Sequence, residues 1–224
     1  MIAKMNFRAE LKEDAAGLVT VVAQDRLTGE VRMVAHANAE ALERTITTGD
    51  AHFFSRSRGA LWKKGETSGN VMRVHEVWLD CDADALLYLV DPSGPTCHTG
   101  APSCFVKRAD PADATDARAA PLFVRLEEAL AARRTATSEK SYTRSLLDGG
   151  AEKIGRKLRE EADELARAIE GESNERVASE AADVIYHAMV ALLSRDVPLR
   201  DVEAELARRF GISGHDEKAT RKQE

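Results

Sequence analysis

Two hydrophobic rhythms divide the chain. Through residues 18–106 the apolar positions come in short alternating or β-branched runs, as in strands whose successive side chains face opposite sides of a sheet. LVTVVAQD and EVRMVAHA flank a Thr28-Gly29 turn and predict a hairpin. NAEALERTITTGD predicts a helix capped by Asn38, with Glu40 and Glu43 early in it and Gly49 at its end. AHFFSRS, VMRVHEVWLDCD and ALLYLVD predict further strands. From Pro121 onward the spacing turns helical. LFVRLEEALAARR, SYTRSLLDGG, residues 151–170, residues 174–194 and LRDVEAELARRF give five predicted helices, the pattern of an all-α bundle. The expected fold class is α+β, with a β-rich domain over residues 1–106 and a helical-bundle domain over 122–224. Between them KRADPADATDARAAP, residues 107–121, has a linker's composition and no apolar period. The last segment, GISGHDEKATRKQE, is expected to be mobile.

Composition narrows the function classes. A chain of 224 residues with 43% hydrophobic and 31% charged residues is an ordinary globular protein. Its net charge of -6 gives no basic face of the kind nucleic acids need. MIAKMNFRAELKED holds no apolar run of signal-peptide length, and no stretch looks like the ~18 apolar residues of a membrane span. A cytoplasmic protein without membrane or nucleic-acid partners is expected. Three cysteines cannot all pair within one chain, and a reducing compartment disfavours disulfides, so metal binding or a reactive thiol becomes the question.

Cys81, Cys97 and Cys104 lie close in sequence, the last two in the breaker-rich GPTCHTGAPSC. Such a loop can fold around an ion, and three thiolates would leave zinc the open position that a catalytic site keeps for water. Three small buried thiols is the plainer alternative. Around Cys81 runs DCDAD. If it is a strand, Asp80, Asp82 and Asp84 share one face and would repel without a hard cation such as Mg²⁺; a solvated acidic strand end is the alternative. SRSRGALWKKGETSG, residues 55–69, carries Arg56, Arg58, Lys63, Lys64, hydroxyls and glycines, the equipment of a phosphate cradle, and Trp62, which could stack on a base. A basic surface turn would look the same.

Together, HFFSRSRGALWKKGETSGN, LDCDAD and GPTCHTGAPSCF closely resemble phosphoribosyl-AMP cyclohydrolase over residues 18–106, with the motifs in order. The resemblance implies a homodimer in which Cys81, Cys97 and Cys104 bind zinc across the subunit interface, and Mg²⁺ near Asp80, Asp82 and Asp84. It implies hydrolytic opening of an adenine ring between N1 and C6, with His98 the candidate base and His52 a weaker one. It makes Arg56, Ser57, Arg58, Trp62, Lys63, Glu66, Thr67, Ser68 and Gly69 the candidate substrate contacts. Family members often read SGHVQ where this chain has Asn70 and Met72, a departure that bears on substrate contacts and not on the metal set.

In the third predicted helix Glu160, Glu161 and Glu164 span about 100° of the surface, with Lys153 and Lys157 in the same sector. Ile154, Leu158, Ala162, Leu165 and Ile169 form the adjoining apolar stripe, which Glu161 borders. The fourth helix is apolar around much of its circumference, with a polar strip of Glu180, Asp183 and His187. If the two helices face each other, their carboxylates meet. Periodicity alone favours ordinary glutamate-rich solvent faces. REEADEL followed by SEAAD, however, resembles the all-α NTP pyrophosphohydrolases, and SYTRSLL, KIGRKLREEADEL and SEAADVIYHAMVALL resemble phosphoribosyl-ATP pyrophosphohydrolase over residues 122–210. By that resemblance Glu160, Glu161, Glu164, Glu180 and Asp183 bind Mg²⁺, Lys153 and Lys157 contact phosphates, and a metal-activated water releases pyrophosphate. Arg159 stands where many members have Gly. Two rivals remain: a zinc module fused to a general nucleotide pyrophosphohydrolase, and a non-enzymatic metal-stapled binding module with a helical dimerisation domain.

Overall fold

The computed structural model describes residues 9–109, 119–135 and 141–210. Most of the expected linker and the whole segment after Phe210 lie outside them. Contacts divide the chain between Pro121 and Leu122 into two units.

The first unit is one six-stranded sheet and one helix. Its strands are β1 (Val19–Asp25), β2 (Val31–Ala37), β3 (His52–Ser55), β4 (Ala60–Lys63), β5 (Met72–Leu79) and β6 (Ala85–Pro92), with α1 (Ala39–Thr48) between β2 and β3. The order across the sheet is β4-β3-β2-β1-β6-β5. Among the described residues only the β1–β6 pair is parallel. β1 shows strict alternation, with Val19, Val21 and Ala23 buried and Thr20, Val22 and Gln24 half-buried. That period of two puts one face of the sheet in the core. Val21, Met33, Phe53, Val74, Leu86 and Tyr88 fill that core together with Leu42 of α1.

α1 ends as its sequence predicts. The Asn38 side chain accepts from the Ala41 N–H, and Gly49, at φ 73°, turns the chain out while its N–H reaches the Thr45 carbonyl. β4 is the element the sequence reading leaves out. ALWK has too short a run to show alternation, and pairing with β3, Phe53 opposite Trp62, makes it a strand.

The second unit is helical: α2 (Leu122–Thr135), α3 (Tyr142–Asp148), α4 (Gly150–Gly171), α5 (Asn174–Ser194) and α6 (Leu199–Arg209). Ser141 and Ser173 cap α3 and α5 with their hydroxyls. Leu130, Leu146, Ile154, Met189 and Val190 form the core. α5 is long and apolar enough to cross a membrane by composition, contrary to the reading of the sequence. It packs here against α4, and its charged Glu180 and its His187 are buried.

The stripe expected on α4 is corrected. Ile154 is buried, but Ala162 and Ile169 are exposed, the latter 67% accessible, while Glu161 is buried. The helix has turned Glu161 inward, with Glu164 half-buried beside it and Glu160 exposed.

Candidate functional sites

In the sheet unit a cleft of about 490 Å³ opens between the loop after β4 and the loop carrying Cys97 and Cys104. Arg58, Trp62, Lys63, Glu66, Thr67 and Ser68 line one side, and Cys97, His98 and Cys104 the other. Arg56 and Ser57 line a second depression, with Arg58 and Trp62 common to both. The basic segment therefore serves two concavities. Trp62 is not a bare platform: its ring packs 5.1 Å from Phe53, and the Arg58 guanidinium lies 6.0 Å from its centroid. Lys63 is held by Asp50 at 2.6 Å. That lysine holds the Asp50 carboxyl below the usual carboxylate range.

Gly65 shapes this wall. It sits at φ 81°, and a Cβ there would meet the Asn70 carbonyl carbon and the Val71 nitrogen at 2.4 Å, backbone atoms that cannot swing aside. Gly65→Ala is therefore expected to cost at least about 1–3 kcal/mol, from the backbone conformation alone. It should lower the unfolding transition of the sheet unit and any activity of the cleft, while chemistry in the helical unit continues. Thermal denaturation with separate assays checks this.

The cysteine loop is anchored from below. The Cys104 N–H donates to the Arg32 carbonyl, the Ser103 hydroxyl to the Val31 carbonyl, and the Arg32 guanidinium to the Pro102 carbonyl. Arg32 is itself held by buried Asp25 and Glu30. Cys97 and Cys104 lie together. The Thr99 hydroxyl donates to the Cys97 sulfur at 3.1 Å and, with the Thr99 backbone and the Cys104 thiol, holds the Cys97 thiol below its ordinary value. Burial pushes the Cys104 thiol up, and the neighbouring Cys97 charge adds to it. His98 is exposed, its Nδ1 3.8 Å from the Cys97 sulfur. His52 is buried outside the cleft lining and bonded through Nδ1 to the Asp50 carbonyl.

Lys64, expected as part of a phosphate cradle, stands instead beside the two sulfurs, a place that the pattern of the segment does not indicate. It is 7% accessible, donates to the Asn70 carbonyl and faces both sulfurs. Burial lowers its pKa, and the thiolates oppose that shift. A buried cation beside the two thiols favours their ionised form, and at Cys104 it works against the upward shift.

Cys81 does not join them within the chain. It lies in the turn before β6, whose Ala85 pairs with Thr20 at the start of β1. Cys104 is tied to Arg32, beside the other end of β1, where Gln24 pairs with Val31. That separates them by about four residues, ~13 Å, along the strands. The three aspartates do come together, all within 4.8 Å, but not by strand alternation. Residues 80–84 form a turn with Ala83 at φ 63°, and Asp80 Oδ1 accepts the N–H groups of Asp84 and Ala85. The Ala85 N–H leads the effects that lower the Asp80 pKa. The charges of Asp82 and Asp80 raise that of Asp84.

In the helical unit α4 and α5 face each other and bring Glu161, Glu164 and Glu180 within 4.8 Å. Glu161 and Glu180 are buried. Burial raises the Glu180 pKa, Arg176 opposes it, and Glu164 and Asp183 push it further up. Glu180 Oε2 has no hydrogen-bond partner among the described residues. Lys157 bridges Glu160 at 2.9 Å and Glu161 at 3.0 Å, while Lys153 donates to the Ser145 carbonyl. Asp183 is exposed at the rim.

Residues 33–106 match the phosphoribosyl-AMP cyclohydrolase family, and residues 123–210 match the phosphoribosyl-ATP pyrophosphohydrolase family. The histidine biosynthesis bifunctional protein of Wolinella succinogenes is 43% identical over 213 residues, covering 92% of this chain and 93% of its own length. Its counterpart in Bacillus subtilis is 43% identical over 203 residues, covering 89% and 95%. The chloroplastic protein of Arabidopsis thaliana is 42% identical over 228 residues, covering 96% and 80%. The chain belongs to the family of bifunctional histidine-biosynthesis proteins. As a family member it carries a cyclohydrolase domain followed by a pyrophosphohydrolase domain, and both are hydrolases. The α+β reading and the two resemblances drawn from the motifs hold.

Proposed function

We propose that the helical domain hydrolyses phosphoribosyl-ATP to phosphoribosyl-AMP and pyrophosphate, and that the sheet domain then opens the adenine ring of phosphoribosyl-AMP between N1 and C6. The observation that carries the first reaction is the triplet of buried Glu161 and Glu180 with half-buried Glu164, and an unsatisfied oxygen on Glu180. Three converging carboxylates repel one another, and a hard divalent cation relieves that repulsion while offering its remaining positions to phosphate oxygens. Glu160 and Asp183 complete the set that would hold Mg²⁺, and Lys157 and Lys153 lie on the same helix to meet the phosphates. Bound Mg²⁺ would supply orientation of the triphosphate and neutralisation of its charge.

For the second reaction Cys97 and Cys104 offer two neighbouring sulfurs, that of Cys97 already biased toward the thiolate, and such ligands suit a soft ion such as zinc. Zinc would supply an activated water at neutral pH. Cys81 of the partner subunit completes the thiolate set, because one chain keeps its own Cys81 at the far end of the strands. Asp80, Asp82 and Asp84 hold Mg²⁺. His98 stands beside Cys97 on the cleft wall and moves protons at the ring. Arg58, Lys63, Thr67 and Ser68 hold the phosphates, Glu66 and Trp62 border the nucleoside, Gly69 shapes the loop, and Arg56 and Ser57 act from the adjoining depression.

A homodimer also suits the exposed apolar surface. Val34 and Trp78 are 45% and 56% accessible, and they cap a cross-strand row that runs through Val22 and Leu87 on the outer face of the sheet. Ile169 and Ile185 offer similar surface on α4 and α5. The protein works in the cytoplasm. Fusion keeps the intermediate concentrated near the second site.

The test is incubation with phosphoribosyl-ATP. With Mg²⁺ alone the protein, stripped of zinc by a chelator, should release pyrophosphate and accumulate phosphoribosyl-AMP. Restored zinc should yield the ring-opened product. Faster cleavage of dUTP or dCTP than of phosphoribosyl-ATP would transfer the helical domain to general nucleotide turnover.

A further inference from the structure

Behind the acidic triplet of the helical domain lies a hydrogen-bonded chain that the proposed chemistry does not use. His187 on α5 is 3% accessible. Its Nδ1 is 2.8 Å from the Asp183 carbonyl, and a carbonyl only accepts, so Nδ1 carries the hydrogen. In the neutral ring Nε2 is then the acceptor. The Tyr142 hydroxyl, 3.0 Å away on α3, donates to it. The same imidazole stands 3.9 Å from Glu161 Oε1, and Tyr142 and Tyr186 both meet the ring edge-on. A parallel bond, Thr143 Oγ1 to Tyr186 Oη at 2.8 Å, fastens α3 to α5 one residue on.

We propose that Tyr142 and His187 form a positioning pair for the pyrophosphohydrolase site, acting through Asp183 and Glu161 and not by contact with the nucleotide. This rests on the reading of the triplet as a cation site. The chain runs from hydroxyl to imidazole to the backbone of Asp183, so α3 sets where that turn of α5 stands relative to α4. The imidazole edge limits where the Glu161 carboxylate can lie. Tyr142 spends its only polar hydrogen on His187, which leaves its oxygen able to accept but not to donate. A phosphate oxygen needs donors, so the hydroxyl is poorly suited to hold one. Partners that orient ligating groups in this way are typically worth 10–100-fold in metal affinity or activity.

The test uses the full chain with Tyr142→Phe, His187→Leu, His187→Gln and the double variant Tyr142→Phe/His187→Gln. Mn²⁺, standing in for Mg²⁺, is titrated by electron paramagnetic resonance without nucleotide in chains that all carry Asp82→Asn and Asp84→Asn, so that the sheet-domain acidic turn does not contribute, and pyrophosphate release is followed at saturating metal. Tyr142→Phe and His187→Leu should each lose about tenfold or more in Mn²⁺ affinity and in kcat, with KM changed less than about threefold. His187→Gln, whose amide can still accept from Tyr142, should recover most of that loss. Replacing Tyr142 as well should cancel the recovery, a non-additivity that a loose structural role does not produce. A raised KM with kcat and Mn²⁺ affinity intact in Tyr142→Phe would overturn the proposal by making the hydroxyl a substrate contact. Additive effects, or unchanged Mn²⁺ affinity in every variant, would overturn it too. Wild-type protein that binds Mn²⁺ but releases no pyrophosphate would instead sink the assigned reaction, and the titration would still decide the pair.

Discussion

Cys97→Ser is expected to abolish ring opening, by more than about 100-fold, while pyrophosphate release stays within about twofold of wild type. Serine keeps the size of the side chain but replaces a polarisable thiolate by a hydroxyl that does not ionise at neutral pH, and zinc binding depends on that ionisation. The environment of Cys97 is prepared for the charged sulfur: Thr99 donates to it and buried Lys64 stands close by. Cys104→Ser should give the same loss. Because the loop is fastened through Arg32, Val31 and Pro102 and not through the sulfurs, neither substitution should unfold the domain. The measurement is zinc content by atomic absorption, followed by ring opening of supplied phosphoribosyl-AMP and pyrophosphate release from phosphoribosyl-ATP. Full zinc occupancy with full ring opening in either variant would remove these sulfurs from the chemistry. Loss of both activities in a folded protein would end the separation into two sites. Mixing Cys81→Ser with Cys97→Ser protein adds a sharper reading. If thiolates are shared between subunits, neither variant alone is active, but one intact site forms in each mixed dimer, so part of the activity returns.

The parts of this architecture that the sequence displays are those in which local rules and tertiary packing agree. β1 alternates because one face is buried, and α1 begins at Asn38 and ends at Gly49 because the cap and the left-handed turn are local chemistry. β4 was illegible for the opposite reason: four residues carry no period, and only the pairing with β3 makes them a strand. The aspartates gather as strand alternation would place them, but a turn and not a pleat brings them together. On α4 the periodicity favoured a solvent face for the glutamates. The helix inverts that expectation at Glu161, which is buried, and draws Glu164 within reach of Glu180 on α5 while apolar Ile169 is left outside. Motif resemblance grouped Glu161, Glu164 and Glu180, which converge in the structure, where periodicity did not. The burial of Lys64 beside the thiols and the Tyr142–His187 chain leave no trace in pattern, because both depend on contacts far apart in sequence.

Glu164→Gln should remove pyrophosphate release by a comparable factor while ring opening of supplied phosphoribosyl-AMP continues. Glutamine conserves volume and can still offer one neutral oxygen, so the substitution isolates the charge. In the wild-type site Glu164 raises the Glu180 pKa, both by its charge and through a hydrogen bond. Removing that charge lets Glu180 ionise more easily, so the apo-domain should become no less stable, and stabilisation by Mg²⁺ should shrink. Those opposite directions separate a metal ligand from a structural carboxylate, whose loss would lower stability with and without the ion. Asp183→Asn tests the rim of the same set and should act in the same direction, because its charge also bears on Glu180. Thermal unfolding with and without Mg²⁺, beside the two separate assays, gives the answer. A Glu164→Gln protein that keeps both its Mg²⁺-dependent stabilisation and its pyrophosphate release would show that the three converging carboxylates do not hold the working ion.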